Sequence, residues 1–112
     1  MAPVPTRAEV GRLGEQIAAT FLLDRGYRIE MTNAVGDGGE IDIIASGPDG
    51  TIAFEVKTTT DGVDPTEAID RRKLDALDRA IAALPVTVQR LDVISVKITV
   101  RGAEVRWLRD VS

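Results

Sequence analysis

An α/β fold is the architecture that this sequence predicts, with its elements in the order α, β, β, β, α, β, β. Two stretches carry apolar residues at helical spacing, and five shorter strand-like stretches are bounded by glycine, proline or polar residues. With 112 residues, the chain is long enough for one ordinary domain and leaves little for a second. We therefore expect a single domain over residues 1–112, in which residues 1–5 form a loose lead-in.

The first helix is predicted from its N-terminal cap and from its apolar stripe. Thr6 is followed three residues later by Glu9, which is the spacing of a capping box, and Gly26 is suited to the C-terminal cap. Small or apolar residues recur at helical spacing between these caps: Val10, Leu13, Gly14, Ile17, Ala18, Phe21 and Leu22. This stripe predicts a helix that is buried along one face.

Three strands are predicted after the first helix. Residues 27–31 alternate in character, and the glycine-rich residues 36–39 that follow are expected to form a turn or a flexible loop. Residues 40–45 and 51–58 are also predicted strands. The sequence Gly-Pro-Asp-Gly at residues 47–50 is a strong signal for a hairpin turn between them.

A second helix and two further strands complete the predicted order. Asp64 is the expected N-cap, Pro65 takes the first helical position, and the helix should run to about Ala83. The last two strands are predicted over residues 90–96 and 105–108. The apolar stripe of the second helix consists of Leu74, Leu77, Ile81 and Leu84.

Composition restricts the chemistry that the chain can perform. It has no cysteine and no histidine, which excludes disulfides, thiol nucleophiles, imidazole bases and metal sites built on either side chain. A bound metal must be held by carboxylate and carbonyl oxygens, which favours Mg²⁺, Mn²⁺ or Ca²⁺. Because the sequence has neither a secretory signal nor the ~20 consecutive apolar residues of a membrane span, we expect a cytoplasmic protein.

Net charge is the observation least favourable to nucleic-acid binding. The 18 acidic and 14 basic residues give −4, whereas a broad phosphate-binding surface requires clustered Lys and Arg. The charge is uneven, however, and the second half of the chain is net positive. Arg71, Arg72 and Lys73 lie together in that half, where they are candidates for binding nucleic acid, although such a run is more commonly a solvated helix start.

The predicted hairpin contains the candidate metal ligands. A four-residue turn at residues 47–50 would place Asp42 directly opposite Glu55. Two carboxylates in this position repel each other by a few tenths to ~1 kcal/mol, and a divalent cation would remove the repulsion. We therefore expect Mg²⁺ or Mn²⁺ at this pair, with a backbone carbonyl such as that of Val56 as a further ligand and water in the open positions.

Two more charged residues lie on the same strands. Lys57 follows Glu55 by two residues, so its ammonium group should lie beside the metal, where it can orient or help to deprotonate the attacking water. The same pairing places Glu40 opposite Lys57. The alternative is a solvated sheet face on which Lys57 makes salt bridges with both glutamates. The opposite face is predicted to be a core face, formed by Ile41, Ile43, Phe54 and Val56.

Two short sequences resemble the YraN-like family of bacterial proteins, which belongs with the PD-(D/E)XK nuclease superfamily. They are Gly-Glu-Ile-Asp-Ile-Ile-Ala at residues 39–45 and Phe-Glu-Val-Lys at residues 54–57. The resemblance implies a restriction endonuclease-like core with a mixed central β-sheet flanked by helices. It also implies that Asp42 and Glu55 bind the metal, that Lys57 is the catalytic lysine, and that Glu15 and Glu40 are acidic residues bordering the site. It extends to residues 11–19, 26–27 and 65–68, Asn33, Lys73 and residues 91–93.

Departures from the family pattern concern phosphate contacts. Val35 stands where the family usually has an arginine, and Thr59 or Thr60 stands where an arginine commonly follows the Glu-x-Lys strand. Two functions from different classes are therefore considered: a Mg²⁺-dependent nuclease that hydrolyses phosphodiester bonds in DNA, and a catalytically weak or inactive module that uses the nuclease fold to bind nucleic acid or protein. A phosphodiesterase directed at RNA or at nucleotides is a third alternative. A homodimer suits the first two, because one small domain offers limited area to hold a duplex.

Overall fold

Residues 5–60 and 70–111 are described by the computed structural model, and their helices and strands follow the predicted order. Helix α1 (Arg7–Asp24) is followed by strands β1 (Arg28–Gly36), β2 (Gly39–Gly47) and β3 (Gly50–Thr59). Helix α2 (Arg71–Ala82) is followed by strands β4 (Arg90–Thr99) and β5 (Gly102–Leu108). The predicted α/β class is therefore confirmed.

All five strands form one sheet in the order β1-β2-β3-β4-β5. The pairs β1/β2, β2/β3 and β4/β5 are antiparallel, whereas β3 and β4 are parallel. Parallel neighbours require a crossover connection, and the segment containing α2 provides it. The sheet is therefore mixed and flanked by helices, as the family resemblance implies.

Helices α1 and α2 cover opposite faces of the sheet, and each belongs to its own apolar cluster. Neither helix of the described residues is long and apolar enough to cross a membrane. Because β2 and β3 contribute to both clusters, they are buried on both faces, which explains their nearly continuous apolar sequence. The α1 cluster contains Ala18, Leu22, Tyr27, Ile43, Ala45, Ile52, Phe54, Val56, Ile94 and Val96. The α2 cluster contains Ala34, Ile41, Ile44, Ala53, Leu77, Ala80 and Leu91.

The core face predicted for the hairpin is wrong at Ile41. This side chain packs with α2, whereas the other three residues of the predicted face belong to the α1 cluster. The regular alternation is interrupted near Asn33 of β1, whose backbone is left-handed with φ 50°. Asn33 lies between the paired residues Thr32↔Ile43 and Ala34↔Ile41. The left-handed residue therefore stands where β2 turns Ile43 to one face of the sheet and Ile41 to the other.

Strand β1 continues beyond the predicted residues 27–31 and pairs with β2 as far as Gly36. Asparagine and glycine are poor strand formers, which is why the predicted strand is shorter than the observed one. Pairing with β2 outweighs the weak local preference of these residues. The predicted glycine-rich turn is confirmed. Gly38 has φ 88° there, a conformation that glycine adopts without steric cost.

Helix α2 begins later than the sequence pattern predicts. Asp70 has an extended backbone, with φ −117° and ψ 176°, and its side chain accepts a hydrogen bond from the Lys73 N–H as an N-cap. A single helix that runs unbroken from Pro65 is therefore wrong. The predicted cap at Asp64 and the first turn at Pro65 lie outside the described residues. The predicted apolar stripe of α2 is confirmed, since Leu77 is buried and the other residues of the stripe pack against the α2 cluster.

Candidate metal centre

The candidate site lies where β2 and β3 separate. Their antiparallel pairing follows the register predicted from the hairpin turn and ends at Ile43↔Phe54. Beyond that pair, the Val56 N–H donates to Oδ2 of Asp42 at 2.8 Å, so a carboxylate replaces the backbone acceptor that a regular ladder would supply. Asp42 and Glu55 are the first residues beyond the last pair, and they lie at the mouth of the gap.

Asp42 and Glu55 form an acidic pair that is largely withdrawn from water. The Glu55 side chain is only 6% exposed. Burial, together with the charges of Glu55 and Glu15, raises the pKa of Asp42 to about 7. Burial also raises the pKa of Glu55, against the opposing charges of Lys73 and Lys57. The pair therefore resists carrying two negative charges unless a cation compensates for them.

Two ammonium groups approach the same oxygen of Glu55. Oε1 of Glu55 lies 3.6 Å from Nζ of Lys57 and 3.9 Å from Nζ of Lys73. The first lysine belongs to β3 itself, whereas the second reaches the site from α2. Oε2 of Glu55 is buried and, within the described residues, has no hydrogen-bond partner while both acids are ionised. A protonated Asp42 donates a hydrogen bond to Glu55, which is one way to satisfy the buried oxygens of the pair. A cation bound between the two carboxylates is another.

The residues present fit a hard divalent cation. The two carboxylates offer oxygen ligands, and the Val56 carbonyl points to the same edge of β3 as the N–H that contacts Asp42. Within residues 5–60 and 70–111, no group of three or more acidic side chains is arranged to hold a metal ion. A cation at this pair would therefore complete its coordination with carbonyl and water oxygens, as Mg²⁺ commonly does.

Glu15 and Glu40 are joined by an asparagine beside the acidic pair. Nδ2 of Asn33 donates to Oε1 of Glu15 at 3.0 Å and to Oε1 of Glu40 at 2.8 Å. One amide group thus fixes an acid from α1 relative to an acid from β2. The close approach of α1 depends on Gly14, because a side chain at that position would overlap Thr58 of β3.

The structure brings some of the predicted site residues together and separates others. Glu40 does not meet Lys57 as predicted, because the pairing of β2 with β3 ends before it and its carboxylate turns to Asn33 of β1. Arg71 and Arg72 are exposed at the start of α2. The residues that the structure brings together are Asp42, Glu55, Lys57 and Lys73.

A shallow groove of about 240 Å³ adjoins the asparagine bridge. No sequence pattern indicates this groove or the role of Asn33, because both depend on how α1 docks against β1. The only local signal is that asparagine tolerates a left-handed backbone better than most residues do. The groove is lined by Arg12, Glu15, Gln16, Ala19, Thr32, Asn33 and Ile43.

Comparison with known proteins shows similarity over most of the chain. The model of the uncharacterised protein family UPF0102 matches residues 14–96. A UPF0102 protein of Porphyromonas gingivalis is 38% identical over 101 residues, which cover 83% of this chain and 74% of the relative. A UPF0102 protein of Trichlorobacter lovleyi is 41% identical over 97 residues, covering 78% of this chain and 76% of the relative. A third, from Dictyoglomus thermophilum, is 35% identical over 109 residues, covering 88% and 91%.

Proposed function

The chain belongs to the uncharacterised protein family UPF0102, and from this premise we propose that it is a divalent-metal-dependent nuclease that hydrolyses phosphodiester bonds in DNA. The proposal is carried by the pair of half-buried Asp42 and buried Glu55. Oε2 of Glu55 has no hydrogen-bond partner among the described residues, and two ammonium groups lie beside the pair. Folding alone does not favour this arrangement, because carboxylates with raised pKa values reduce stability at neutral pH. A cation at the pair would offset that cost.

Each residue of the centre has a role in this proposal. Asp42 and Glu55 would hold Mg²⁺ or Mn²⁺ with help from the Val56 carbonyl. The cation, when bound, supplies Lewis-acid activation of water and neutralises charge on the phosphate. Lys57 is held beside the acidic pair by its ion pair with Glu55, where its ammonium group would orient the attacking water. Lys73 approaches from α2 and is placed to contact the phosphate.

The start of α2 supports an anionic substrate. Its first turn contains no acidic residue, and three basic residues, Arg71, Arg72 and Lys73, stand there in succession. Positive side chains at this end of a helix are opposed by the helix dipole, so the arrangement costs stability in the free protein. A phosphate backbone lying across this turn would be attracted by both the dipole and the side chains. On the other side of the centre, Glu15 and Glu40 repel phosphate and restrict the approach to the α2 side.

The proposal extends to ancestry, location and assembly. A mixed sheet flanked by helices, acids on two neighbouring strands and a lysine two residues beyond the second acid are all compatible with the PD-(D/E)XK nuclease superfamily. We propose a cytoplasmic location, where DNA is accessible and a chain without cysteine needs no oxidising compartment. We also propose a homodimer, which would double the surface available to a duplex.

A binding module with little or no cleavage activity is the second candidate. The net charge of −4 favours it, because a strong grip on DNA requires more basic residues. Val35 also favours it, since this residue is 79% exposed where the family pattern has a cation that could contact phosphate. In this case the acidic pair would still bind a cation, but the phosphate would not be held for hydrolysis.

Cleavage of single-stranded, duplex and branched DNA in the presence of Mg²⁺ or Mn²⁺ distinguishes the two candidates. We expect the purified protein to cleave at least one substrate and Asp42→Asn to lower the rate by about 100-fold or more. Asp24→Asn is the matched control, because it makes the same chemical change at an exposed position in α1. Cleavage that persists in Asp42→Asn would refute the proposed centre. Metal uptake without cleavage of any substrate would support the binding module.

A further inference from the structure

In the metal-free centre, the four side chains nearest one another are balanced in charge when both acids are ionised, and Glu15 adds a further negative charge near Asp42. Asp42 and Glu55 contribute two negative charges when ionised, and Lys57 and Lys73 contribute two positive charges beside them. A divalent cation bound to the acids would bring two additional positive charges. At least one ammonium group would then face a cation instead of a carboxylate, at a separation where the repulsion is large in a partly buried site.

Lys73 is better placed than Lys57 to move away from Glu55 when a cation binds. Its side chain is 44% exposed, against 25% for Lys57, and its Nζ is slightly farther from Glu55. It also extends from α2 rather than from the strand that carries Glu55, so it can turn to solvent without disturbing β3. Only its backbone N–H is needed for the helix cap at Asp70, which leaves the side chain free to move.

We propose that Lys73 is a positioning residue that couples metal binding to substrate binding. Its ammonium group neutralises Glu55 in the metal-free protein and transfers to a backbone phosphate of the nucleic acid when a cation occupies the acidic pair. This inference rests on the proposed function, since it requires both the cation and a phosphodiester substrate. Because coupling between two sites is reciprocal, the cation tightens phosphate binding and phosphate tightens cation binding by the same factor.

The first test measures the affinity of Mn²⁺ alone by calorimetry at low ionic strength, without nucleic acid. Lys73→Gln removes the competing charge, so we expect Mn²⁺ to bind this variant about tenfold more tightly than the wild type. Lys97→Gln is the matched control, because Lys97 also makes a 3.9 Å ion pair with a glutamate, Glu104, but on β4 and β5. Its affinity for Mn²⁺ should equal that of the wild type.

The second test measures the affinity of an oligonucleotide with hydrolysis-resistant phosphorothioate linkages by fluorescence anisotropy, with and without Mn²⁺. In the wild type and in Lys97→Gln, Mn²⁺ should increase the affinity. In Lys73→Gln the increase should be several-fold smaller, because the transferred ammonium group is missing. A residue that only stabilises the fold would alter the melting temperature but would leave this ratio unchanged.

The outcomes separate the inference from the proposed function. If the wild type binds no Mn²⁺, the metal centre fails and the inference falls with it. If the wild type binds Mn²⁺ and Lys73→Gln binds it equally well, the inference is overturned while the metal centre stands. Circular dichroism establishes that each variant is folded. Should Lys73→Gln be unstable, Lys73→Met removes the same charge and keeps the aliphatic part of the side chain, with the same outcomes expected.

Discussion

Asp42 experiences opposing influences on its proton. The Val56 N–H and the charge of Lys73 favour the ionised form, whereas burial and the charge of Glu55 favour the neutral form. The second group prevails and raises the pKa from 3.8 to about 7. The folded protein therefore binds this proton more tightly than the unfolded chain does. The resulting stabilisation is complete below about pH 4 and is lost as the pH rises through about 7.

Replacing this acid should stabilise the metal-free protein at alkaline pH. In EDTA at pH 8, we expect Asp42→Asn to raise the free energy of unfolding by ~1–2 kcal/mol, less than the full shift in pKa implies because water reaches part of the site. The asparagine oxygen can still accept from the Val56 N–H. Urea unfolding at pH 8 and at pH 4 measures the effect, which should be close to zero at pH 4. An equal effect at both pH values would show that the charge of Asp42 is not the cause.

Other site residues differ in how far the sequence predicts them. Asp42, Glu55 and Lys57 could be predicted because their proximity follows from local pairing across a short turn. The two hydrogen bonds from Asn33 could not, since they join α1, β1 and β2 and depend on a left-handed backbone within a strand. Lys73 was predicted as a phosphate contact, but its ion pair with Glu55 depends on where α2 crosses the sheet.

At the scale of elements, α1 approaches the sheet most closely where it carries Gly14. Gly14 faces Thr58 of β3 so closely that a methyl group would overlap the threonine side chain. Gly11 lies one turn earlier, and a methyl group there would meet no atom within 4 Å. The two glycines are therefore equivalent in helix propensity but opposite in packing, which allows the two effects to be separated.

Alanine at these two positions should change stability in opposite directions. We expect Gly14→Ala to lower the free energy of unfolding by about 1–3 kcal/mol, because α1 must move away from β3. Gly11→Ala should raise it by about 0.5–1 kcal/mol, as alanine does in a helix interior. Chemical denaturation of both variants measures the difference. Gly14→Ala as stable as Gly11→Ala would mean that α1 does not approach β3 as closely as described.

Another acid, Asp92 on β4, has a structural role. Its carboxylate is fully buried and accepts hydrogen bonds from Arg90 at 2.9 Å, from Trp107 at 2.8 Å and from the Asp110 N–H at 2.7 Å. It therefore connects β4 to β5 and to the chain that follows β5. Unlike Glu55, it has a set of donors that satisfies its charge. The contrast indicates that burial of an acid alone does not mark the candidate centre, whereas an unsatisfied oxygen does.

At the scale of the whole molecule, the candidate centre is assembled from both faces of the sheet. Glu15 comes from α1 on one face and Lys73 from α2 on the other, and they approach the gap between β2 and β3 from opposite sides. The protein around this centre is acidic overall, with a net charge of −4. Contacts with phosphate should therefore be few and concentrated at the start of α2.

This charge distribution predicts a shallow dependence of DNA binding on salt. In EDTA, Lys73 stays paired with Glu55, so Arg71 and Arg72 are the main contacts and the slope of log K against log salt concentration should be about −2 for duplex DNA. Fluorescence anisotropy over a range of salt concentrations measures it. The double variant Arg71→Gln, Arg72→Gln should bring the slope in EDTA close to zero. A wild-type slope steeper than about −6 would reveal a second basic surface that the proposal does not include.

The sequence by itself determined the α/β class, the order of the elements, the hairpin register and the proximity of Asp42 to Glu55, because periodicity, caps and short turns act between residues close in the chain. Four features depend on the tertiary structure alone: the ion pair of Lys73 with Glu55, the hydrogen bonds from Asn33, the adjoining groove and the face on which Ile41 is buried. These depend on how two helices dock on opposite faces of a twisted sheet. Docking is set by packing between residues far apart in sequence, which local preferences do not encode.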